Sequence, residues 1–142
     1  MSTPAMGVDS ERGIERVDSG LGFDEAVEHF EKALAARGMT VFAKIDFTSD
    51  ARKAGLEMPR TLLILFGNPK GGTPIMVAAP SSALDLPLKV LISEGGDGKV
   101  SLSYNTPEYL AARHGIPGEL VKNIAGIRAV VRDAVGSGAG EV

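Results

Sequence analysis

The stretch that decides the fold is LLILFGNPKGGTP, residues 62–74. Its apolar first half predicts a central β-strand over residues 61–66, covered on both faces of a sheet, with a buried helix turn as the alternative for so short a run. The glycines and prolines that follow end this strand and form a loop carrying Asn68 and Lys70. Binding and catalytic residues are common on loops held by a buried strand, so we expect a functional site here.

Length and composition indicate one globular domain. The chain has 142 residues, of which 44% are hydrophobic and 23% charged. This balance is typical of a folded protein with one core. We expect a flexible N-terminal arm over residues 1–12, a single domain over 13–135 and a flexible tail over 136–142. The formal net charge of -3 gives no electrostatic reason to expect a nucleic-acid partner.

The residue types that are missing also exclude several classes of protein. There is no cysteine, which excludes disulfides, thiolate nucleophiles and cysteine-ligated metals. The first 13 residues are short, polar and acidic, unlike a signal peptide. No apolar run approaches the length that spans a bilayer. We therefore expect a cytoplasmic protein with no membrane partner.

The first half of the chain alternates between helix and strand signals. A weak strand pattern over residues 14–21 precedes a helix over 23–37, which Gly38 ends. Residues 39–47 alternate between apolar and polar side chains, which predicts a half-buried strand. Residues 49–55 form a short helical connection.

The second half predicts a hairpin followed by helices. A short helix over residues 73–79 has Pro74 in its first turn. Two alternating strands, 86–94 and 99–104, flank the turn sequence Gly95-Gly-Asp-Gly98. Thr106 and Pro107 then begin a helix that Gly115 ends. Pro117 opens a last helix with a long apolar stripe.

These elements together predict an α+β fold. The sheet is mainly antiparallel, and helices with one apolar face each pack on one side of it. The late hairpin argues against a doubly wound α/β arrangement.

The glycine loop invites comparison with a phosphate-binding loop. That motif has glycine, four residues, glycine, lysine, then serine or threonine. Gly67 and Gly72 have the right spacing, but Thr73 stands in the lysine position and Pro74 in the hydroxyl position. The nucleotide-hydrolase interpretation therefore fails. Two alternatives stay open: Lys70 and free backbone N–H groups hold an anion, or the loop only shapes a tight connection.

Acidic and polar residues near strand ends are the other candidates. Asp85 lies between two leucines, so we expect it to be partly buried and to need a partner such as Lys70, Arg60 or a backbone N–H. It is then either a general base with a shifted pKa or a cap for the loop. Three further candidates lie at or near strand ends: Asp46, Glu94 and Tyr104.

The two histidines, His29 and His114, fall on different predicted helices and show no metal-ligand spacing. For both we favour a structural role, which for His114 is to complement the helix dipole. Ser81 and Ser82 lack the Gly-x-Ser-x-Gly sequence of a nucleophile elbow. We expect no metal and no cofactor. An enzyme with Asp85 as base stays open if His114 lies within hydrogen-bond or single-water reach.

Several motifs together carry a family resemblance. They are residues 38–46 (GMTVFAKID), 51–56 (ARKAGL), 66–70 (FGNPK), 84–88 (LDLPL) and the pair Ser103-Tyr104. With these, the chain over residues 14–115 resembles the bacterial and archaeal family called domain of unknown function 302. The resemblance implies a β-α-β4-α core of the TATA-box-binding-protein-like type with extra helices, and a homodimer. It implies no activity and no DNA binding, because fold is not function.

The resemblance also marks positions in this sequence. The family-typical polar residues are Asp46, Arg52, Asn68, Lys70, Asp85, Glu94 and Tyr104. Relatives often have histidine after the strand-ending aspartate, where this chain has Phe47. Chemistry that depends on that histidine would be missing here.

The leading hypothesis is a dimeric module with a small-molecule or anion pocket at the 67–87 loop. Its candidate residues are Asp46, Asn68, Lys70 and Asp85, with Arg52, Glu94, Tyr104 and His114 as secondary candidates. The first rival is a non-enzymatic assembly protein that buries the 86–104 hairpin or the last helix against a second copy. The second rival is a hydrolase-like or lyase-like enzyme that uses Asp85.

Overall fold

The computed structural model describes residues 6–9 and 12–136. The strands are β1 (Met6–Asp9), β2 (Ile14–Asp18), β3 (Thr40–Asp46), β4 (Thr61–Gly67), β5 (Leu88–Glu94) and β6 (Val100–Asn105). The helices are α1 (Phe23–Ala36), α2 (Phe47–Lys53), α3 (Pro69–Ala78), α4 (Pro107–His114), α5 (Lys122–Ala125) and α6 (Ile127–Ala134). Short 3₁₀ segments cover Pro80–Leu84 and Gly118–Leu120. The predicted order β-α-β4-α is present as β2-α1-β3-β4-β5-β6-α4, with β1 and further helices added.

The strands form one sheet in the order β1-β2-β6-β5-β4-β3. All pairings among the described strands are antiparallel. The predicted hairpin is present as β5 and β6, and Gly98 in its turn has a φ of 81°, which favours glycine. The α+β class is therefore confirmed.

One face of the sheet forms the core. Ile64 pairs with Val90, and Ile92 pairs with Leu102, and all four side chains are fully buried on the same face. The helices cover this face: the Phe30 ring of α1 meets the Phe66 ring of β4 edge-on at 5.4 Å. Residues on the opposite face are only half-buried, including Leu63 and Leu65 of β4. The expectation that this strand is covered on both faces was therefore wrong.

β3 is more exposed than its alternating sequence suggests. It lies at the edge of the sheet and, among the described strands, pairs only with β4, with a bulge between Val41 and Ala43. Of its residues only Ile45 is partly buried. The strand is thus predicted correctly in position but not in burial. An alternating sequence does not reveal whether a strand lies at the edge of the sheet, where fewer neighbouring residues pack against it.

The helix after β4 begins four residues earlier than predicted. Asn68 caps it by accepting a hydrogen bond from the backbone N–H of Lys70 at 3.0 Å. Pro69 follows at the first helical position, where its fixed φ suits a helix start. Pro74 consequently lies inside α3 rather than in its first turn.

Both ends of the chain lie partly outside the described residues. Met6–Asp9 of the expected flexible arm pairs with β2 as a strand, while residues 1–5, 10 and 11 lie outside the described residues. Residues 137–142 of the expected tail also lie outside them, and the N–H of Gly136 donates to the Ser19 carbonyl at 2.6 Å. The single predicted last helix is divided into a 3₁₀ segment, α5 and α6, with Gly126 between the two helices.

The apolar stripe of these last helices is internal. Ile124, Ile127, Val131 and Ala134 are at most 3% exposed, and α6 packs on α1. The hairpin likewise buries Val90, Ile92 and Leu102 in the core, whereas Leu91 lies half-buried on the opposite face. The stripe is therefore not a free surface, which removes the version of the assembly hypothesis that used it. Within the described part of the chain, no helix is both long and apolar enough to cross a membrane.

Candidate functional site

A pocket lies at the predicted loop. It has a volume of about 230 Å³ and opens between the end of β4, the first two turns of α3, the start of β5 and α5. Its lining is mostly apolar and comprises Phe42, Gly67, Asn68, Pro69, Gly72, Thr73, Met76, Leu86, Pro87, Leu88, Asn123 and Ile124. The chain brings these residues together because Leu86 and Pro87 return past α3 on the way into β5.

Three polar side chains line this pocket: Asn68, Thr73 and Asn123. The Asn123 amide donates to the Gly71 carbonyl at 3.1 Å and so ties α5 to α3. The Asn68 side chain is occupied as a helix cap. The apolar walls would exclude water, and the few polar groups would orient a bound molecule.

The backbone at the start of α3 is less available to an anion than the sequence suggests. The N–H of Lys70 bonds the Asn68 side chain, and the N–H groups of Gly71 and Gly72 both approach the Asn68 carbonyl, at 2.9 and 3.0 Å. An anion would compete with these contacts. The geometry favours an apolar ligand over the phosphate-like ligand that Lys70 and free N–H groups would hold.

The four primary candidates do not meet at one site. Asn68 lines the pocket at the loop, whereas Lys70 is exposed on the first turn of α3 and does not line it. Asp46 caps α2 by accepting from the Ser49 N–H at 3.0 Å. Asp85 lies in a hydrogen-bond network with α4. The idea of one pocket lined by all four is therefore wrong.

Asp46 belongs to a second, polar cavity of about 320 Å³, which Arg52, Asp24 and Arg60 also line. Arg60 donates to Asp24 at 2.8 Å, which lowers the pKa of that carboxyl and raises the pKa of the guanidinium. The same guanidinium lies 4.2 Å from the centre of the Phe23 ring. Arg60 is thus not the partner of Asp85. Glu94 ends β5 nearby, and its N–H donates to the Arg60 carbonyl at 2.9 Å.

Asp85 is bound by two residues of α4. Its Oδ2 lies 2.5 Å from His114 Nε2 and accepts from Arg113 Nη1 at 3.0 Å. The other ring nitrogen of His114 lies 2.8 Å from the hydroxyl of Ser81. The His114 side chain is 3% exposed and that of Asp85 15%. His114 is therefore within the reach of Asp85 that the enzyme hypothesis requires.

Tyr104 lies in a separate buried network. Its hydroxyl donates to Glu15 at 2.6 Å, and Glu15 also accepts from Arg128 Nε at 3.2 Å. Arg128 continues with two hydrogen bonds to Glu108. Burial and the Glu15 hydrogen bond raise the pKa of Tyr104 far above its usual value. The paired hydrogen bonds with Glu108 raise the pKa of Arg128 and lower that of Glu108.

Sequence reasoning missed several of these residues. Ser81 was set aside because it lacks a nucleophile-elbow sequence, and Arg113, Glu15 and Arg128 drew no attention. Contacts such as Glu15 with Arg128 join residues 113 positions apart, and no local pattern reveals them. Within residues 6–9 and 12–136, no group of three or more histidine and acidic side chains could hold a metal ion.

Comparison with known proteins gives one family and two kinds of relative. Residues 15–134 match the family described as domain of unknown function DUF302. The chain is 39% identical over 113 residues to "Fluoride-specific ion channel FluC 1" of Brucella suis biovar 1 (strain 1330) and to the protein of the same name from Brucella abortus biovar 1 (strain 9-941). These matches cover 80% of this chain but only 44% and 42% of those proteins.

The fold is also found in a solved structure. The crystal structure of an uncharacterized conserved DUF302 protein from Bacillus stearothermophilus superimposes with a TM-score of 0.73 at 18% identity. The match covers 87% of this chain and 95% of that one. At this identity the likeness concerns the fold alone.

Proposed function

Because the chain belongs to the DUF302 family, whose name assigns no activity, we propose a function from the geometry: it binds a small, largely apolar molecule in the pocket at the 67–87 loop. The observation that carries this proposal is the pocket itself, with its apolar walls and three polar side chains. Its volume of about 230 Å³ is below the ~300–1,000 Å³ of common ligand clefts, so the ligand is smaller than a typical drug.

Gly72 offers a direct test of this proposal. It lines the pocket, and a Cβ placed there would meet no atom within 4 Å apart from its chain neighbours and the backbone of its own helix. Gly72→Leu should therefore occupy part of the pocket with little strain. Gly72→Ala is the matched control, because it makes the same backbone change with a side chain too small to block the pocket.

The measurement is a fragment screen by thermal shift and by ligand-detected NMR, using small aromatic and aliphatic compounds. We expect some to stabilise wild type and Gly72→Ala, and none of these to stabilise Gly72→Leu. A compound present at a free concentration of 100 times its Kd should raise the free energy of unfolding by about 2.7 kcal/mol. Equal binding by wild type and Gly72→Leu would contradict the proposal.

The homodimer implied by the resemblance is a second proposal, and the open face of the sheet supports it. Ile45, Leu63, Leu65 and Leu91 share that face by register and are half-buried. A second copy that covered this patch would remove apolar surface from water. Leu63→Lys should then give a monomer in light scattering, while Leu56→Lys, at a 65% exposed site outside the sheet, should not. A monomeric wild type at micromolar concentration would contradict it.

The named relatives favour one further function. More than half of each of those proteins lies outside the match, and their name is that of a fluoride-specific ion channel. We therefore propose that this chain acts as an accessory module beside such a channel. Co-expression with a fluoride-specific channel should yield a complex that survives detergent purification and should alter fluoride efflux from vesicles. Unchanged efflux and no complex would exclude this role.

A further inference from the structure

The Asp85 network ends at an exposed hydroxyl, and its proton arrangement can be derived. A carboxylate only accepts hydrogen bonds, so the 2.5 Å contact with Asp85 requires the proton to be on His114 Nε2. In the neutral ring Nδ1 is then an acceptor, and it faces the Ser81 hydroxyl at 2.8 Å. The order is carboxylate, imidazole, hydroxyl, with the first two shielded and the third at the surface.

We infer that Ser81 is a nucleophile for acyl transfer from small carboxylic esters, with His114 as its general base and Asp85 as the residue that orients the ring. A serine is activated when a base lies within hydrogen-bond reach and a third group fixes that base. Both conditions hold here, with His114 as the base and Asp85 as the group that fixes it. Ser81 is exposed, so a substrate can reach it.

The ring nitrogens are used in the reverse order from the well-known serine hydrolases, in which the carboxylate bonds Nδ1 and the serine bonds Nε2. Either nitrogen of a neutral imidazole can accept a proton while the other donates. The requirement is the hydrogen-bonded geometry rather than the atom label. Arg113 supports it by holding the same Asp85 oxygen at 3.0 Å.

The reaction balances without a cofactor. Ser81 Oγ forms a bond to the ester carbonyl carbon while its proton passes to His114 Nδ1. The bond to the alcohol oxygen breaks, and His114 gives the proton to the departing alcohol. Water then attacks the acyl-serine, His114 takes a proton from that water and returns it to Ser81 Oγ, and the carboxylic acid leaves.

Two probes test the assignment: 4-nitrophenyl acetate, whose release of nitrophenol reports acylation, and a fluorophosphonate, which labels activated serines covalently. The controls are Ser82→Ala and His29→Gln. Ser82 is the neighbouring serine, 1% exposed, and its hydroxyl has no partner among the described residues. His29 is the other histidine of the chain. The variant His29→Gln therefore shows how much of the ester hydrolysis is due to a histidine side chain outside the Asp85 network.

We expect peptide mapping to find the fluorophosphonate on Ser81. The acylation rate should fall about 100-fold or more in Ser81→Ala and in His114→Gln, because general-base assistance contributes a factor of about that size. Ser82→Ala and His29→Gln should keep both properties. Asp85→Asn should slow acylation while circular dichroism stays native. Unlabelled Ser81 in wild type, or equal acylation rates in wild type and Ser81→Ala, would overturn the inference.

Discussion

Two hydrogen-bond networks in this protein each contain a shielded carboxylate, and they end differently. The closed network consists of Glu15, Tyr104, Arg128 and Glu108, and both oxygens of Glu108 at its exposed end already accept hydrogen bonds from Arg128. The open network consists of Asp85, Arg113, His114 and Ser81, and it ends at an exposed hydroxyl. Helix α4 supplies residues to both.

The difference separates a structural role from a chemical one. In the closed network the Arg128 guanidinium bonds both carboxylates, and these bonds join α4 and α6 to β2 and β6. In the open network the histidine holds one acceptor nitrogen toward a nucleophile at the surface. A shielded carboxylate alone therefore does not mark a functional site; the group at the end of its network does.

The largest effect should come from opening the closed network. Arg128→Met removes the cation beside Glu15, which is 5% exposed, and leaves a shielded carboxylate with the Tyr104 hydroxyl as its described partner. Removing one partner of a buried pair costs about 3–5 kcal/mol. We expect about 3 kcal/mol because Arg128 is partly exposed. Urea unfolding measures it.

The control for that prediction is Arg37→Met. It breaks a pair with Asp133 whose side chains are 42% and 49% exposed, so the loss should stay below about 1 kcal/mol. Equal losses in the free energy of unfolding for Arg128→Met and Arg37→Met would show that the closed network does not stabilise the fold.

The second effect is a loss of stability at alkaline pH through Tyr104. Its pKa is raised in the folded protein, whereas an unfolded tyrosine titrates near 10. The folded state then holds this proton more tightly than the unfolded chain does. The contribution of Tyr104 to the free energy of unfolding is therefore fully present below about pH 10. Above that pH the free energy of unfolding decreases by up to about 1.4 kcal/mol per pH unit.

The measurement is the urea midpoint of wild type and Tyr104→Phe between pH 9 and pH 11.5. The variant should be less stable than wild type at neutral pH, because Glu15 loses a hydrogen bond, and its stability should fall less steeply with pH. Parallel pH profiles would show that Tyr104 does not hold its proton in this way.

A third, smaller effect should reach both networks through α4. Thr106 caps this helix by accepting from the Tyr109 N–H at 3.2 Å, and it is 5% exposed. Thr106→Ala should cost about 1 kcal/mol. Thr106→Ser keeps the hydroxyl and should recover most of that loss. Hydrogen exchange should increase along α4 in the alanine variant; unchanged exchange there would contradict a capping role.

The smallest effect should come from the exposed end of the open network. Ser81→Ala removes one hydrogen bond at the surface and should change stability by less than about 0.5 kcal/mol. Because the fold should stay intact, a change in the acylation rate of Ser81→Ala would report the loss of the hydroxyl itself. A loss as large as that of Arg128→Met in thermal unfolding would assign Ser81 to the fold instead.

Local signals allowed much of the fold to be predicted. Helix α1, the turn between β5 and β6, and the Thr106–Pro107 start of α4 all depend on neighbouring residues. The exposure of β3 was missed because it follows from strand order. The early start of α3 was missed because Pro69 was assigned to the loop rather than to the first helical position.

The site was predicted only in outline. The pocket lies at the 67–87 loop, and Asn68 lines it, as the glycine-rich sequence indicated. His114 was named as a possible neighbour of Asp85, but its contact with Ser81 was not predictable, since the two residues are 33 positions apart and meet only when the 3₁₀ segment packs on α4. The roles of all these side chains in binding or catalysis stay predictions.

The exposed position of β3 has a consequence for how the protein behaves at high concentration. An edge strand offers unpaired backbone groups to any other strand, which is a route to aggregation. Here the bulge between Val41 and Ala43 interrupts the regular spacing of those groups, and Lys44, paired with Glu31 at 2.9 Å, places charge beside them. The strand then passes directly into α2 at Phe47. The edge is thus a poor template for a foreign strand, which favours a protein that stays dispersed when crowded.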